Sequence, residues 1–323
     1  MLAGMAEHFQ EDSVAAVGVR IDAEHPHGMI FDPHQPQLRV TDLGAIRGDG
    51  VFETMYCLGG EIRKLDAHLR RLARSAGICQ LPLPPAESWR GAVDLGIEEF
   101  STRGTLPEHL TIKLVVTRGV EGEPAADDPA FAGTAWVLLT PASESLLASR
   151  GEPIAVTLLD RGHDSTAAER APWLLLGAKT LSYAVNMAAL RHAKEHGFDD
   201  VIFHTSDGQI LEGPTSTVLL VHRGAEGSPP RLSTPERESG ILPGTTQGAI
   251  FAAAERAGWE LGYGPLTPEE LRAADHVFLA SSVRLVSPVT RIDDVEKPVD
   301  HDLTAELTAL LAEDLPVGRP LDD

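Results

Sequence analysis

The chain has little cysteine, few aromatic residues, few basic residues and no long apolar run. Two cysteines in 323 residues, Cys57 and Cys79, cannot build a disulfide framework or a four-cysteine zinc site. They read as reduced core residues, the pattern of a cytoplasmic protein. Three histidines of the second half, His204, His222 and His276, lack metal-ligand spacing, so no metal is expected. Twenty-seven Lys and Arg against 48 Asp and Glu leave a net charge of −21. A surface this acidic repels phosphate backbones, which argues against nucleic acid as a partner. No apolar stretch reaches the roughly 18 residues of a membrane span, and the start MLAGMAEHFQEDS has no basic region followed by an apolar one. No membrane partner and no signal peptide are expected.

What is present is an ordinary globular balance, 42% hydrophobic and 23% charged, enough to bury a core. Glycine and proline, 30 and 23 residues, punctuate the chain into short elements. Residues 1–13 read as a loose extension and 13–20 as a strand. Residues 25–36 read as a loop or hairpin. Gly48-Asp49-Gly50 is a tight turn, followed by a strand with Val51, Glu53 and Met55 on one face and Phe52, Thr54 and Tyr56 on the other. A turn over 58–61 leads to a helix capped by Asp66, carrying the stripe Leu69, Leu72, Ala73 and Ala76, and stopped by Gly77. A second helix is expected over 86–100, and strands over 110–117 and 134–140.

The polar, breaker-containing stretch 141–153 reads as a linker between a smaller N-terminal domain, 1–140, and a larger C-terminal one, 154–323. The second half is expected to hold strands over 154–159, 200–205, 209–211, 217–222 and 276–280. Its expected helices span 179–196, 244–257 and 303–311. Strands and helices mix in both halves, which gives an α+β or α/β class.

Five features are able to carry chemistry. Lys179 follows the apolar run Trp173-Leu174-Leu175-Leu176; in a dry pocket its amine loses its proton more easily and becomes a nucleophile for a Schiff base. Tyr183 lies one helical turn further on. Glu212 ends an apolar strand before Gly213-Pro214, where a carboxylate is placed to pair with a pyridinium nitrogen. Leu242-Pro243-Gly244-Thr245-Thr246 enters a helix, so free N–H groups, two hydroxyls and the helix dipole form a phosphate cup, to which Ser281 and Ser282 are able to add. Arg70 and Arg71 are neighbours about 100° apart on a helix, so only one faces inward. Each feature alone has an ordinary reading as a surface lysine, a strand-end carboxylate, a helix cap or a solvated arginine.

Their order is more specific. GDGVFET, HLRRLARSA, KTLSYAVNMAALRHAKEHGFDDVIF, LEGPTSTV, ILPGTTQGAI and VFLASSVRLVSPV, spread from about 42 to 293, resemble the class IV (fold-type IV) pyridoxal-phosphate enzymes. That family includes branched-chain and D-amino-acid aminotransferases and 4-amino-4-deoxychorismate lyases. The resemblance implies an α+β fold of two domains, the larger C-terminal one barrel-like, with pyridoxal 5'-phosphate between them in a homodimer. It implies Lys179 as the Schiff-base lysine and Glu212 as partner of the ring nitrogen. Arg71, Gly244, Thr245, Thr246, Ser281 and Ser282 would lie around the phosphate, with Tyr183 at the phenolic oxygen.

Within the family, the arginine–histidine pair that follows T-R-G in D-amino-acid aminotransferases is missing after Thr117-Arg118-Gly119. Phe52-Glu53-Thr54 replaces the Phe-Glu-Gly usual in branched-chain aminotransferases and is commoner in the lyases. The run around Lys179, with Arg47-Gly48-Asp49-Gly50, resembles the aminodeoxychorismate lyase-like subgroup. The expected reaction is therefore release of 4-aminobenzoate and pyruvate from 4-amino-4-deoxychorismate. A class IV aminotransferase with a keto-acid acceptor is the alternative. A silent cofactor-binding protein is the non-enzyme reading, against which the intact Lys179 and Glu212 stand. Arg47, Arg118 and Arg284, with Phe52 and Thr54, are the candidates for contact with substrate.

Overall fold

The computed structural model describes residues 16–123, 128–224 and 228–312. The extension expected over 1–13 lies outside the described residues. Two sheets organise the chain. The first, six-stranded, contains β1 (Val17–Ile21), β2 (Met29–Phe31), β3 (Gly50–Leu58), β4 (Glu61–Ile62), β5 (His109–Thr117) and β6 (Thr134–Pro141), in the order β2-β1-β6-β5-β3-β4 with every pair antiparallel. Alternation in β3 puts Val51, Glu53 and Met55 into the interior. Short α1 (Leu43–Arg47) precedes β3 and ends at Gly48, whose φ of 68° suits a residue without Cβ.

Two helices cover this sheet. Helix α2 (Leu65–Ile78) packs on β3, and α3 (Ala86–Thr102) on β1 and β6, around a core that includes Trp89, Phe100, Met55 and Leu72. The structure corrects the reading of α2. Asp66 is not its cap; the helix starts after Lys64, in the left-handed region at φ 55°, and Asp66 sits in the first turn beside Arg90. Ala73 is exposed, and His68 and Ser75 join Leu69, Leu72 and Ala76 on the buried face. Gly77 is helical, and the chain turns away at Gln80 (φ 51°). The stretch read as a bare linker contains α4 (Glu144–Ala148), capped by Ser143.

The second sheet, eight-stranded, contains β7 (Ile154–Asp160), β8 (Asp200–His204), β9 (Thr217–His222), β10 (Arg231–Pro235), β11 (Glu260–Gly264), β12 (His276–Ser281) and β13 (Leu285–Ile292), in the order β11-β10-β9-β12-β13-β7-β8, with β14 (Val295–Glu296) paired to β13. Parallel pairs β10–β11, β13–β7 and β7–β8 join antiparallel ones, so the sheet is mixed and curls around its core. Around it lie α5 (Ala167–Arg170), α6 (Ala184–Glu195), α7 (Thr245–Arg256), α8 (Pro268–Ala273) and α9 (His301–Ala312). Helices α7 and α9 pack together over one face, and α6 lies against β8. Residues 209–211 form only an isolated bridge at Ile210. Strands β10, β11 and β13 are absent from the sequence reading: Pro235, two glycines and Pro288 hide them as breakers, although Pro288 sits within the β12–β13 register.

The most consequential correction concerns 179–196. Only 184–195 are helical. Lys179 and Thr180 are extended and pair with the start of β3: Phe52 N–H donates to the Lys179 carbonyl at 3.0 Å, and Leu181 N–H to the Gly50 carbonyl at 2.8 Å. The segment leading into α6 is thus stitched to the first sheet.

Candidate active site

Lys179 sits at that seam. Its backbone N–H donates to Ser75 Oγ on α2 at 3.0 Å, which fixes the segment against the first layer. Its Nζ lies 4.5 Å from the centroid of the Phe52 ring and 5.5 Å from that of Tyr183, and the two rings meet edge to face at 5.4 Å. Tyr183 is therefore near Lys179 through the bend before α6, not through a shared helical face. Desolvation, then the Arg71 charge, lowers the Lys179 ammonium to about 8, against the opposing pull of Glu53 and Glu212. An amine in this condition is partly neutral near physiological pH and able to attack an aldehyde.

Glu212 follows the bridge at Ile210. Leu242 N–H donates to its Oε2 at 3.2 Å. Burial raises its carboxyl to about 7, although Leu242 N–H, Lys179, Arg71 and Arg161 act in the other direction. A carboxyl this short of compensating charge suits a cationic nitrogen as partner. Beside it, Arg161 stacks 4.7 Å over Phe203 and donates from Nη2 to Asn186 Oδ1 at 3.1 Å. Asn186 Nδ2 and the Tyr183 hydroxyl both donate to the Pro214 carbonyl, at 2.7 and 2.5 Å, which holds the loop after Glu212. Burial, then Glu212, pushes the Tyr183 phenol up to about 12.

The phosphate cup is built where α7 begins. Gly244 is the N-cap, and no side chain caps the helix there. A Cβ on Gly244 would come within 2.4 Å of Thr217 Oγ1, so only glycine fits this approach. Thr245 Oγ1 lies 3.2 Å from Ser282 Oγ and 3.3 Å from His68 Nε2. Thr245, Thr246 and Ser282 line one small pocket with Tyr56, Arg63, Lys64 and His68. Ser281 is the last residue of β12.

Of the neighbouring arginines, Arg70 is exposed and Arg71 faces inward. Arg71 Nε and Nη2 donate to Glu53 at 2.6 and 2.7 Å, and Nη1 donates to the Pro243 carbonyl at 2.9 Å. It grips the loop before α7 and does not line the pocket of Thr245, Thr246 and Ser282. Glu53, fully buried, also takes His68 Nδ1 at 2.8 Å. Burial would raise its carboxyl, but Arg71 and then His68 bring it down to about 2.

Glu53, His68 and Arg161 were missed by the sequence reading. A signal existed for the first two. A carboxylate on the apolar face of a strand requires a cation, and His68 and Arg71 stand three apart on one helix face. Nothing local marks Arg161.

The candidate substrate arginines are engaged in ion pairs: Arg47 with Glu121 at 2.8 Å, Arg118 with Asp49 at 2.6 Å, and Arg284 with Asp200 at 2.7 Å. Phe52 is beside Lys179; Thr54, on the same strand face, is half-buried. Part of the acidic run after Gly119, residues 124–127, lies outside the described residues.

The family model described as "Amino-transferase class IV" matches residues 50–292. A bifunctional aminodeoxychorismate lyase / D-amino acid transaminase from Mycobacterium tuberculosis is 38% identical over 272 residues, 84% of this chain and 91% of that protein. The structure of a fold IV-transaminase from Curtobacterium pusillum superposes with a TM-score of 0.84 at 43% identity, covering 92% of this chain and 99% of the other. A hypothetical aminotransferase from M. tuberculosis in its PLP-bound form superposes at 0.83 with 35% identity, over 94% of this chain and all of the other.

Proposed function

The chain belongs to the amino-transferase class IV family, and we propose that within it this enzyme is a 4-amino-4-deoxychorismate lyase that releases 4-aminobenzoate and pyruvate. Pyridoxal 5'-phosphate is its cofactor, and the residues present suit it: a lysine lowered to about 8, a carboxyl raised to about 7, and a glycine-capped helix start lined with hydroxyls. The observation that carries the lyase reading is the aromatic corner of Phe52 and Tyr183 around Lys179 Nζ, an apolar wall that would suit an unsaturated six-membered ring. The name of the M. tuberculosis relative supports the same reading.

Bound pyridoxal phosphate supplies an electron sink. In this reading Lys179 would hold the cofactor, and its amine would take the proton from the carbon beside the substrate nitrogen. The ring's bond to the enolpyruvyl oxygen breaks, the ring becomes aromatic, and the departing fragment gains a proton to become pyruvate. Glu212 would keep the cofactor's ring nitrogen charged, and Gly244, Thr245, Thr246, Ser281 and Ser282 would surround the phosphate. Arg71 supports that cup through Pro243. Phe52 and Thr54 form the wall toward substrate. Arg47, Arg118 or Arg284 contacts a substrate carboxylate only by exchanging its present acidic partner.

Transamination of a D-amino acid is the second reading, favoured by the other half of the same relative's name. It would use the same Lys179 and Glu212. We further propose that the two sheets are separate domains joined over 141–153, and that the enzyme acts as a cytoplasmic homodimer. Among the described residues no helix is long and apolar enough to cross a membrane. The deciding experiment supplies purified enzyme with 4-amino-4-deoxychorismate alone, and separately with D-alanine and 2-oxoglutarate. The lyase forms 4-aminobenzoate and pyruvate without a keto acid; absence of 4-aminobenzoate, with keto-acid-dependent turnover of D-alanine, moves the assignment to transaminase.

A further inference from the structure

A chain of hydrogen bonds runs from the buried ion pair to the phosphate cup, and one atom in it is free to change state. Glu53 accepts from Arg71 Nε and Nη2 and lies 2.8 Å from His68 Nδ1. An ionised carboxylate only accepts, so Nδ1 carries a hydrogen whatever the charge of the ring. The variable position is Nε2, 3.3 Å from Thr245 Oγ1, which is itself 3.2 Å from Ser282 Oγ. His68 is 2% exposed, so solvent does not replace these partners.

The two states of His68 turn the cup in opposite senses. When the ring is neutral, Nε2 accepts, and the Thr245 hydroxyl 3.3 Å away donates its hydrogen there. Ser282 then donates to Thr245, and both hydroxyl protons are used inside the protein. When the ring is charged, Nε2–H donates to Thr245 Oγ1, and the Thr245 hydrogen is released to an anion. A phosphate dianion, which only accepts, binds better to the second arrangement.

We propose that His68 is a positioning residue for the cofactor phosphate, reversing the direction of the Thr245 hydroxyl so that phosphate binding and protonation of the imidazole are linked. The inference rests on the cofactor assignment and extends it to a residue that need not touch the cofactor. Before a ligand arrives, burial lowers the pKa of His68 and Arg71 and Lys179 oppose its charge, against Glu53. Arg63, Lys64 and Tyr56 line the same pocket as Thr245, Thr246 and Ser282. A dianion placed among these groups adds the negative charge that lets the ring keep a proton.

The test uses pyridoxamine 5'-phosphate, which carries the phosphate but no aldehyde, titrated into full-length apoenzyme by calorimetry at pH 7.5 in buffers of different ionisation enthalpy. Wild type is expected to take up more protons on binding than His68→Gln or Thr245→Val, by up to one. Wild-type affinity should fall up to tenfold per pH unit above the ordinary histidine value, more steeply than in either variant. Thr245→Val should also bind roughly ten- to a hundredfold more weakly, the loss of one hydrogen bond to a charged group. Nitrogen-15 histidine spectra of wild type, which need no variant to fold, should show one Nε2 change from pyridine-type to protonated on ligand binding. Tight binding with every Nε2 unchanged, or with undiminished proton uptake in Thr245→Val, overturns the linkage while leaving the cofactor assignment intact. Failure to bind pyridoxamine phosphate at all overturns both.

Discussion

Arg71 and Glu53 form a two-point ion pair, 2.6 and 2.7 Å, between helix α2 and strand β3, and the same guanidinium reaches the Pro243 carbonyl at the mouth of α7. One side chain therefore ties three elements together. Glu53→Gln should leave the Arg71 charge buried and uncompensated, at a cost of about 3–5 kcal/mol in chemical denaturation. The pair's contribution is present above the ordinary carboxylate value of 4.5 and lost as pH falls from there through about 2, because the folded-state pKa is depressed. Glu53→Gln should flatten that acid limb of the stability curve. A variant as stable as wild type at pH 7, with the acid limb unchanged, would show that the pair holds nothing.

Arg71→Ala should weaken both the fold and the cofactor site, because it strands Glu53 and frees the Pro243 loop. Arg70→Ala, on the exposed side of α2, should change neither by more than about 0.5 kcal/mol. Denaturation midpoints and pyridoxamine phosphate affinity, measured on both variants, check this; a larger effect from Arg70 contradicts the assignment.

Lys179 should be the covalent anchor. Borohydride reduction of the yellow holoenzyme is expected to fix the cofactor on the peptide that contains Lys179, and Lys179→Ala should take no label. With its ammonium lowered to about 8, the neutral amine grows as pH rises through 8 and not through 10.5. The rate of aldehyde capture by apoenzyme, followed by absorbance, should level off just above pH 8. A rate still climbing tenfold per unit at pH 9.5 contradicts the desolvated environment.

Glu212→Gln should retain the cofactor and lose turnover by a factor on the order of 10²–10³, since a neutral amide does not hold the ring nitrogen charged. The cofactor absorbance and the steady-state rate are read from the same sample. Full turnover in the variant would remove Glu212 from the chemistry.

The cofactor's fate separates the two reactions. A lyase returns it to the aldehyde form at every turnover, so the amine form should not accumulate with 4-amino-4-deoxychorismate. Bleaching by D-alanine that only a keto acid reverses, with no 4-aminobenzoate formed, would instead mark a transaminase.

The sequence by itself determined the family and its order of motifs, because glycine turns, the helix start at Thr245 and the alternation of β3 are local features that a linear pattern displays. It also placed Lys179, Glu212 and Ser282 as the residues to watch. The tertiary structure alone decided what meets what. Lys179 lies in an extended segment, since pairing with β3 outweighed the helical pattern of 179–183. The buried carboxylate Glu53, in sequence only a strand position and the middle of the Phe52-Glu53-Thr54 motif, is the hub that joins Arg71 and His68. Proline and glycine concealed β10, β11 and β13, whose places are fixed by neighbours far along the chain. Ion pairs and hydrogen bonds across 15 to 177 residues leave no periodicity to read; they exist only once burial has removed water and left each charge to find a partner.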